Sequence, residues 1–135
     1  MGKIEVLLID DSPEDRELTT RTLSKHKFIE RILCFKDGVE ALDFLLGENK
    51  TNALPRFIFL DLNMPKMGGL EFIHKIKSDE RTKGIPIAVL TSTTELPDIK
   101  ESIKLGVKFY IPKPIEYEDV EKIAAELGFS AGTED

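Results

Sequence analysis

Short apolar runs alternate five times with stretches of helical periodicity along this chain. The runs are Ile4 to Ile9, the segment around Ile32 to Phe35, Phe57 to Asp61, Ile85 to Thr91 and Val107 to Ile111. They are rich in Val, Ile and Phe, and most read as strands covered on both faces. Between them the period changes to that of a helix. Ser12, with Pro13 at the first helical position and Asp15 three residues past the cap, predicts a helix to about Lys25. Asp37 with Glu40 repeats the capping pattern ahead of a stripe of Val39, Leu42, Leu45 and Leu46, which Gly47 ends. Leu70, Phe72, Ile73 and Ile76 mark a third helix, and Ile99 with Ile103 a fourth that leads to Gly106. Val120, Ile123, Ala124 and Leu127 at i, i+3, i+4 and i+7 make the last helix the clearest, with Gly128 as its stop.

Five such units predict an α/β fold: a doubly wound, five-stranded parallel sheet with five helices, because right-handed crossovers leave few other topologies. Strand order 2-1-3-4-5 places strands one and three side by side at the switch point. A length of 135 residues suits one domain. It is assigned to 1–128, with 129–135 as a short tail that frays. Residues 47–56 form a polar connection longer than the usual two to six or so residues, and therefore the segment expected to be mobile or partner-specific.

Charge narrows the functions. A net charge of -6 argues against nucleic acid and anionic membranes as partners, since their phosphates would be repelled. No apolar run reaches the roughly 18 residues of a membrane span, and the N-terminus passes straight into a strand, so the cytoplasm is the expected location. The single cysteine, Cys34, has no internal disulfide partner and is read as a buried small hydrophobe.

The informative polar residues all stand at the C-terminal ends of strands. Asp10 and Asp11 follow the first run, Asp61 the third, Thr91 the fourth and Lys113 the fifth. Ligands of open α/β sheets bind just outside those ends. Two carboxylates about 4 Å apart repel by about 4 kcal/mol at an effective dielectric near 20, so three in one crevice call for a cation. Mg²⁺ suits them: it takes oxygen ligands and is usually held by one or two carboxylates, which leaves one free as a nucleophile. Asp61 is the best candidate, because Asn63-Met64-Pro65 turns the backbone away after it. Thr91 and Lys113 complete a cradle for a phosphoryl group, as hydroxyl donor and point charge.

Taken singly, each residue has a plainer reading. A strand-end Asp is often a helix cap, Thr91 can open a capping loop, Lys113 between two prolines can be a solvated turn residue, and Tyr110 fits a core position. His26 and His74 lie in charge-rich helical stretches with little catalytic promise. Coincidence at one end of the sheet raises the functional reading.

The combination of Asp10-Asp11, Asp61 within Leu-Asp-Leu-Asn-Met-Pro-Lys-Met-Gly-Gly, Thr91 and Lys113-Pro114 resembles the receiver domain of two-component response regulators, over about Lys3 to Gly128. That resemblance implies a flavodoxin-like receiver fold and makes Asp61 the phosphoacceptor, carrying 4-aspartylphosphate. It gives Mg²⁺ to Asp11, Asp61 and the Asn63 carbonyl, with Asp10 in support through water or from behind the direct ligands. It makes Thr91 and Lys113 the phosphoryl contacts, Thr91 and Tyr110 the switch residues, and Lys113-Pro114 a cis peptide. Pro112 departs slightly from the common pattern. Ser12-Pro13-Glu14-Asp15, the long connection and the expected lack of an output domain resemble stand-alone regulators paired with phytochrome-type sensor histidine kinases. The partner implied is such a kinase or a phosphorelay protein. A homodimer through the fourth helix, fifth strand and fifth helix is also expected, because Lys100, Lys104, Lys108, Tyr110, Glu118 and Glu121 carry both signs of charge there. The protein is then a phosphoacceptor rather than an enzyme.

Other readings fit less well. A haloacid dehalogenase-like phosphohydrolase places its nucleophile on the first strand and its acidic pair late, the reverse of the order here. A dinucleotide-binding module needs Gly-x-Gly-x-x-Gly where this chain has Asp-Asp-Ser-Pro. An adaptor that has lost phosphorylation is hard to reconcile with five intact polar positions.

Overall fold

The computed structural model describes residues 3–47, 54–62, 68–91 and 96–128. Its elements run β1 (Ile4–Ile9), α1 (Pro13–Leu23), β2 (Ile29–Phe35), α2 (Gly38–Leu46), β3 (Phe57–Asp61), α3 (Gly69–Lys77), β4 (Ile87–Thr91), α4 (Leu96–Lys104), β5 (Phe109–Pro112) and α5 (Tyr117–Leu127). The strands form one sheet in the order β2-β1-β3-β4-β5, parallel at every pairing. This is the doubly wound sheet that the alternation of periods predicts.

Local chemistry sets the helix boundaries. Ser12 Oγ accepts from the Asp15 amide at 3.2 Å, and Asp37 Oδ1 from the Glu40 amide at 2.9 Å. Glu116 and Asp119 cap α5 reciprocally, and Gly128 closes it at φ 80°, where a side chain would be strained.

Alternate strand residues feed two cores. Val6, Leu8, Phe57, Phe59, Ala88 and Leu90 pack with Leu23 of α1 and with Val120, Ile123 and Ala124 of α5. Leu7, Ile9, Ile58, Leu60, Ile87 and Val89 pack with Ala41 and Leu45 of α2 and with Phe72, Ile73 and Ile76 of α3. β1 and β3 are therefore covered on both faces, as apolar runs without alternation require.

Several expectations need correction. Cys34 is exposed on β2, an edge strand of the sheet, with its thiol 3.7 Å from Thr20 Oγ1 of α1. Val39, in the first turn of α2, is exposed; Leu45 is buried as expected, with Leu42 and Leu46 partly buried beside it, and Ala41 takes the place of Val39 in the buried stripe. Ile103 is 54% exposed while its neighbour Ser102 is fully buried, so α4 is rotated relative to its apolar pattern. Strands β4 and β5 each begin two residues later than their apolar runs, and β2 three residues earlier. His26 lies in the turn after α1 rather than in a helix, whereas His74 is an exposed residue of α3's last turn. Most of the connection at 47–56, and the tail at 129–135, lie outside the described residues.

Candidate functional site

The ends of β1, β3, β4 and β5 meet at one rim of the sheet. Ile9 pairs with Leu60, Asp61 with Leu90, and Thr91 with Pro112, so the residues that follow each pair face a common crevice. Asp10 is fully buried and Asp61 5% exposed, whereas Asp11 faces solvent. Carboxylate oxygens of these three lie within 4.8 Å of one another. Three hard oxygen donors at such spacing fit a divalent cation of the Mg²⁺ type, one with room for water beside the carboxylates.

A cation of the protein's own already occupies one side of the cluster. Lys113 Nζ lies 2.9 Å from Asp10 Oδ2, 3.0 Å from Asp15 Oδ2 and 3.3 Å from Asp61 Oδ2, and its side chain is only 12% exposed. That environment excludes the solvated-turn reading. Burial by itself disfavours the charged ammonium, but its close contacts with the carboxylates of Asp10, Asp15 and Asp61 overcome it and hold Lys113 above the usual lysine range. The Asp10 contact is short but misses hydrogen-bond geometry, so it acts as charge pairing, while a directed bond runs to Asp15. The Lys113 amide donates to the Thr91 carbonyl at 2.9 Å, which ties the end of β5 to the end of β4. Lys113-Pro114 is cis.

The loop from β1 to α1 is fixed by its own polar groups. Ser12 N donates to Asp10 Oδ1 at 3.0 Å, and Arg16 Nη1 donates to the Asp10 carbonyl at 2.6 Å. Sequence reasoning reads Asp15 as part of a capping pattern and of a segment resembling stand-alone regulators, not as a partner of Lys113. Its ion pair spans 98 positions to Lys113, a distance no local motif reveals.

Thr91 is half-buried at the tip of β4, and Tyr110 stands on β5, partly buried against the α2/α3 core. The Tyr110 hydroxyl accepts from Ser102 Oγ at 3.0 Å and donates to the Val107 carbonyl at 3.1 Å, so it is tied to α4 and to the turn before β5. Burial raises its pKa, with the Ser102 hydrogen bond acting the other way. Ser102 is a second residue that the sequence does not single out. Asn63 lies outside the described residues, as do 92–95 after Thr91.

His26 belongs to a different place. It is buried, stacked on Tyr117 with ring centroids 3.9 Å apart and tilted against Phe28 at 5.4 Å.

Comparison with known proteins gives a consistent match. The family model described as the response regulator receiver domain aligns with residues 6–125. The response regulator Rcp1 of Synechocystis is 33% identical over 120 residues, covering 87% of this chain and 82% of its own. A structure of the Mn²⁺-bound form of Rcp1 superimposes with a TM-score of 0.74 at 31% identity, covering 98% of this chain and 97% of that one. The bacteriophytochrome response regulator AtBRR has a TM-score of 0.82 at 34% identity, with 96% and 95% of the two chains covered. The phosphorylated cyanobacterial phytochrome response regulator RcpA has a TM-score of 0.77 at 28% identity, with 99% and 97% covered.

Proposed function

Because the chain belongs to the response regulator receiver domain family, we propose that Asp61 accepts a phosphoryl group from a sensor histidine kinase, with Mg²⁺ held by Asp11, Asp61 and the Asn63 carbonyl and supported by Asp10. The observation that carries this reading is the convergence of three carboxylates, with oxygens within 4.8 Å of one another, on an ammonium 3.3 Å from Asp61. The receiver domain is assigned to 1–128, with 129–135 as a tail, and the compartment is the cytoplasm. Among the described residues no helix is long and apolar enough to cross a membrane.

In the proposed reaction a carboxylate oxygen of Asp61 attacks phosphorus in line. A phosphorus–oxygen bond forms as the phosphorus–nitrogen bond to the kinase histidine breaks, and the nitrogen departs with its electron pair. Lys113 pairs with one oxygen of the transferring group, and the Thr91 hydroxyl donates to another. Bound Mg²⁺ would supply further neutralisation of charge on those oxygens. Asp61 acts from the end of a strand buried on both faces, so its backbone pays little for being held in position.

Output passes through the face of α4, β5 and α5. Thr91 and Tyr110 respond to the phosphoryl group, and the hydroxyl network of Tyr110, Ser102 and Val107 conveys the change to α4. That face exposes Ile103 together with Lys104, Lys108, Glu118 and Glu121, which suits association with a second copy. Similarity to AtBRR and RcpA favours a phytochrome-type kinase as the source of the phosphoryl group.

Acetyl phosphate with Mg²⁺ should add one phosphoryl mass, cleavable by hydroxylamine, to the wild-type chain. Asp61→Asn should stay unlabelled, and Asp11→Asn should need far more metal. Equal labelling of wild type and Asp61→Asn would reject the assignment.

A further inference from the structure

Lys113 is shared among more carboxylates than its proposed task requires. An ammonium has three donors, and Asp10, Asp15 and Asp61 stand at 2.9, 3.0 and 3.3 Å from it. A phosphoryl group on Asp61 brings anionic oxygens that compete with the other two carboxylates for this ammonium. The burial of the partners decides which of the two gives way. The Asp10 side chain is 0% exposed and would be left as a buried charge without compensation, whereas Asp61 itself carries the phosphoryl group and its pairing passes to that group's oxygens. The Asp15 side chain is 40% exposed, and water can replace its partner.

Asp15 is nevertheless not a stray surface carboxylate. Its amide is held by Ser12 Oγ, and the Ser12 amide by Asp10 Oδ1, so a chain of two hydrogen bonds places it relative to the buried member of the cluster. It stands outside the group of carboxylates spaced to share a metal ion, and its carboxylate accepts a hydrogen bond from Lys113.

We propose that Asp15 is a positioning residue that holds Lys113 before phosphorylation and competes with the phosphoryl group for it, so that the Asp15–Lys113 pair sets how tightly Asp61 retains a phosphoryl group. The inference rests on the phosphoacceptor reading of Asp61. When the group arrives, the ammonium exchanges its third contact from Asp15 to a phosphoryl oxygen, and the Asp15 carboxylate turns to water. A chain without that carboxylate already has a donor to spare.

The test uses the full chain, Mg²⁺ and beryllofluoride as the phosphoryl mimic, with affinity read from amide shifts in NMR titrations. Asp15→Asn should tighten binding about 3- to 10-fold. Asp15→Ser, which keeps a short polar group in the first turn, should do the same. Glu14→Gln removes equal charge from an exposed neighbouring position and should change affinity less than about twofold. In a Lys113→Met background the effect of Asp15→Asn should vanish, a dependence that a general loss of helix stability would not produce. Unchanged or weaker binding by the Asp15 variants overturns the inference. Tightening that Glu14→Gln reproduces, or that survives without Lys113, also overturns it in favour of net charge. A wild-type chain that fails to bind the mimic would instead overturn the phosphoacceptor reading, and this inference with it.

Discussion

Burial acts on two cationic side chains of this molecule with opposite results. Desolvation works against the charged form of both Lys113 and His26. Lys113 has three carboxylates at contact distance and stays charged. His26 has only the more distant attraction of Glu121 and a backbone hydrogen bond at Tyr117, so its pKa stays below the ordinary histidine value. Its Nε2 has no hydrogen-bond partner among the described residues. The folded state thus favours neutral imidazole, while the unfolded chain takes up a proton near pH 6.5. Stability from this residue is full above about pH 6.5 and declines as pH falls below it, because the unfolded state then binds more protons. Urea midpoints at about pH 7.5 and about pH 5.5 can be compared for wild type and His26→Phe, which keeps a ring on Tyr117. The variant should lose less stability on acidification, and equal losses would count against this account of His26.

At the scale of elements, the approach of α3 to β3 is the tightest constraint near the crevice. A Cβ on Gly69 would lie 2.6 Å from the Leu62 Cα, against backbone that cannot move without shifting the strand end that carries Asp61. The Gly69 amide also donates to the Leu62 carbonyl at 3.1 Å. Gly69→Ala should cost about 1–3 kcal/mol by overpacking, despite alanine's better helix propensity, and should lower phosphorylation of Asp61. Thermal unfolding and acetyl phosphate labelling check both parts; a variant as stable as wild type would show that the junction yields. The other side of the same junction explains what a sequence can disclose. Runs such as Val6 to Ile9 and Phe57 to Leu60 announce their strands because both faces are buried. Caps at Ser12 and Asp37 are equally plain, because each bond joins residues three apart. Cys34, Val39 and Ile103 mislead because an apolar residue does not reveal whether an element lies over its position. The metal-type carboxylates can be read from their strand-end placement, whereas Asp15 and Ser102 depend on contacts made only when α1 meets β5 and α4 meets Tyr110.

For the whole molecule, the proposed homodimer is the property with the widest consequence. Ile103 is 54% exposed on α4, and exposed Lys104 of α4, Lys108 just before β5 and Glu118 and Glu121 of α5 belong to the same face. Coupling energies between sites are typically about 1–3 kcal/mol, so phosphorylation should tighten self-association roughly 5- to 150-fold. Sedimentation over a concentration series, with and without beryllofluoride, should show the shift, and Ile103→Lys should abolish it. A monomer in both states would leave a different protein as the receiver of the signal.

The division of the interior into two cores has its own effect on such a signal. Leu60 and Val89 belong to the α2/α3 side with Tyr110, while Phe59 and Leu90 belong to the α1/α5 side with Leu23 and Ile123. Strand neighbours one residue apart thus have different surroundings, separated by the sheet itself. Substitutions that loosen the α1/α5 core can erode the melting temperature yet leave the Tyr110 route intact, so robustness and message are adjustable on opposite sides of one wall.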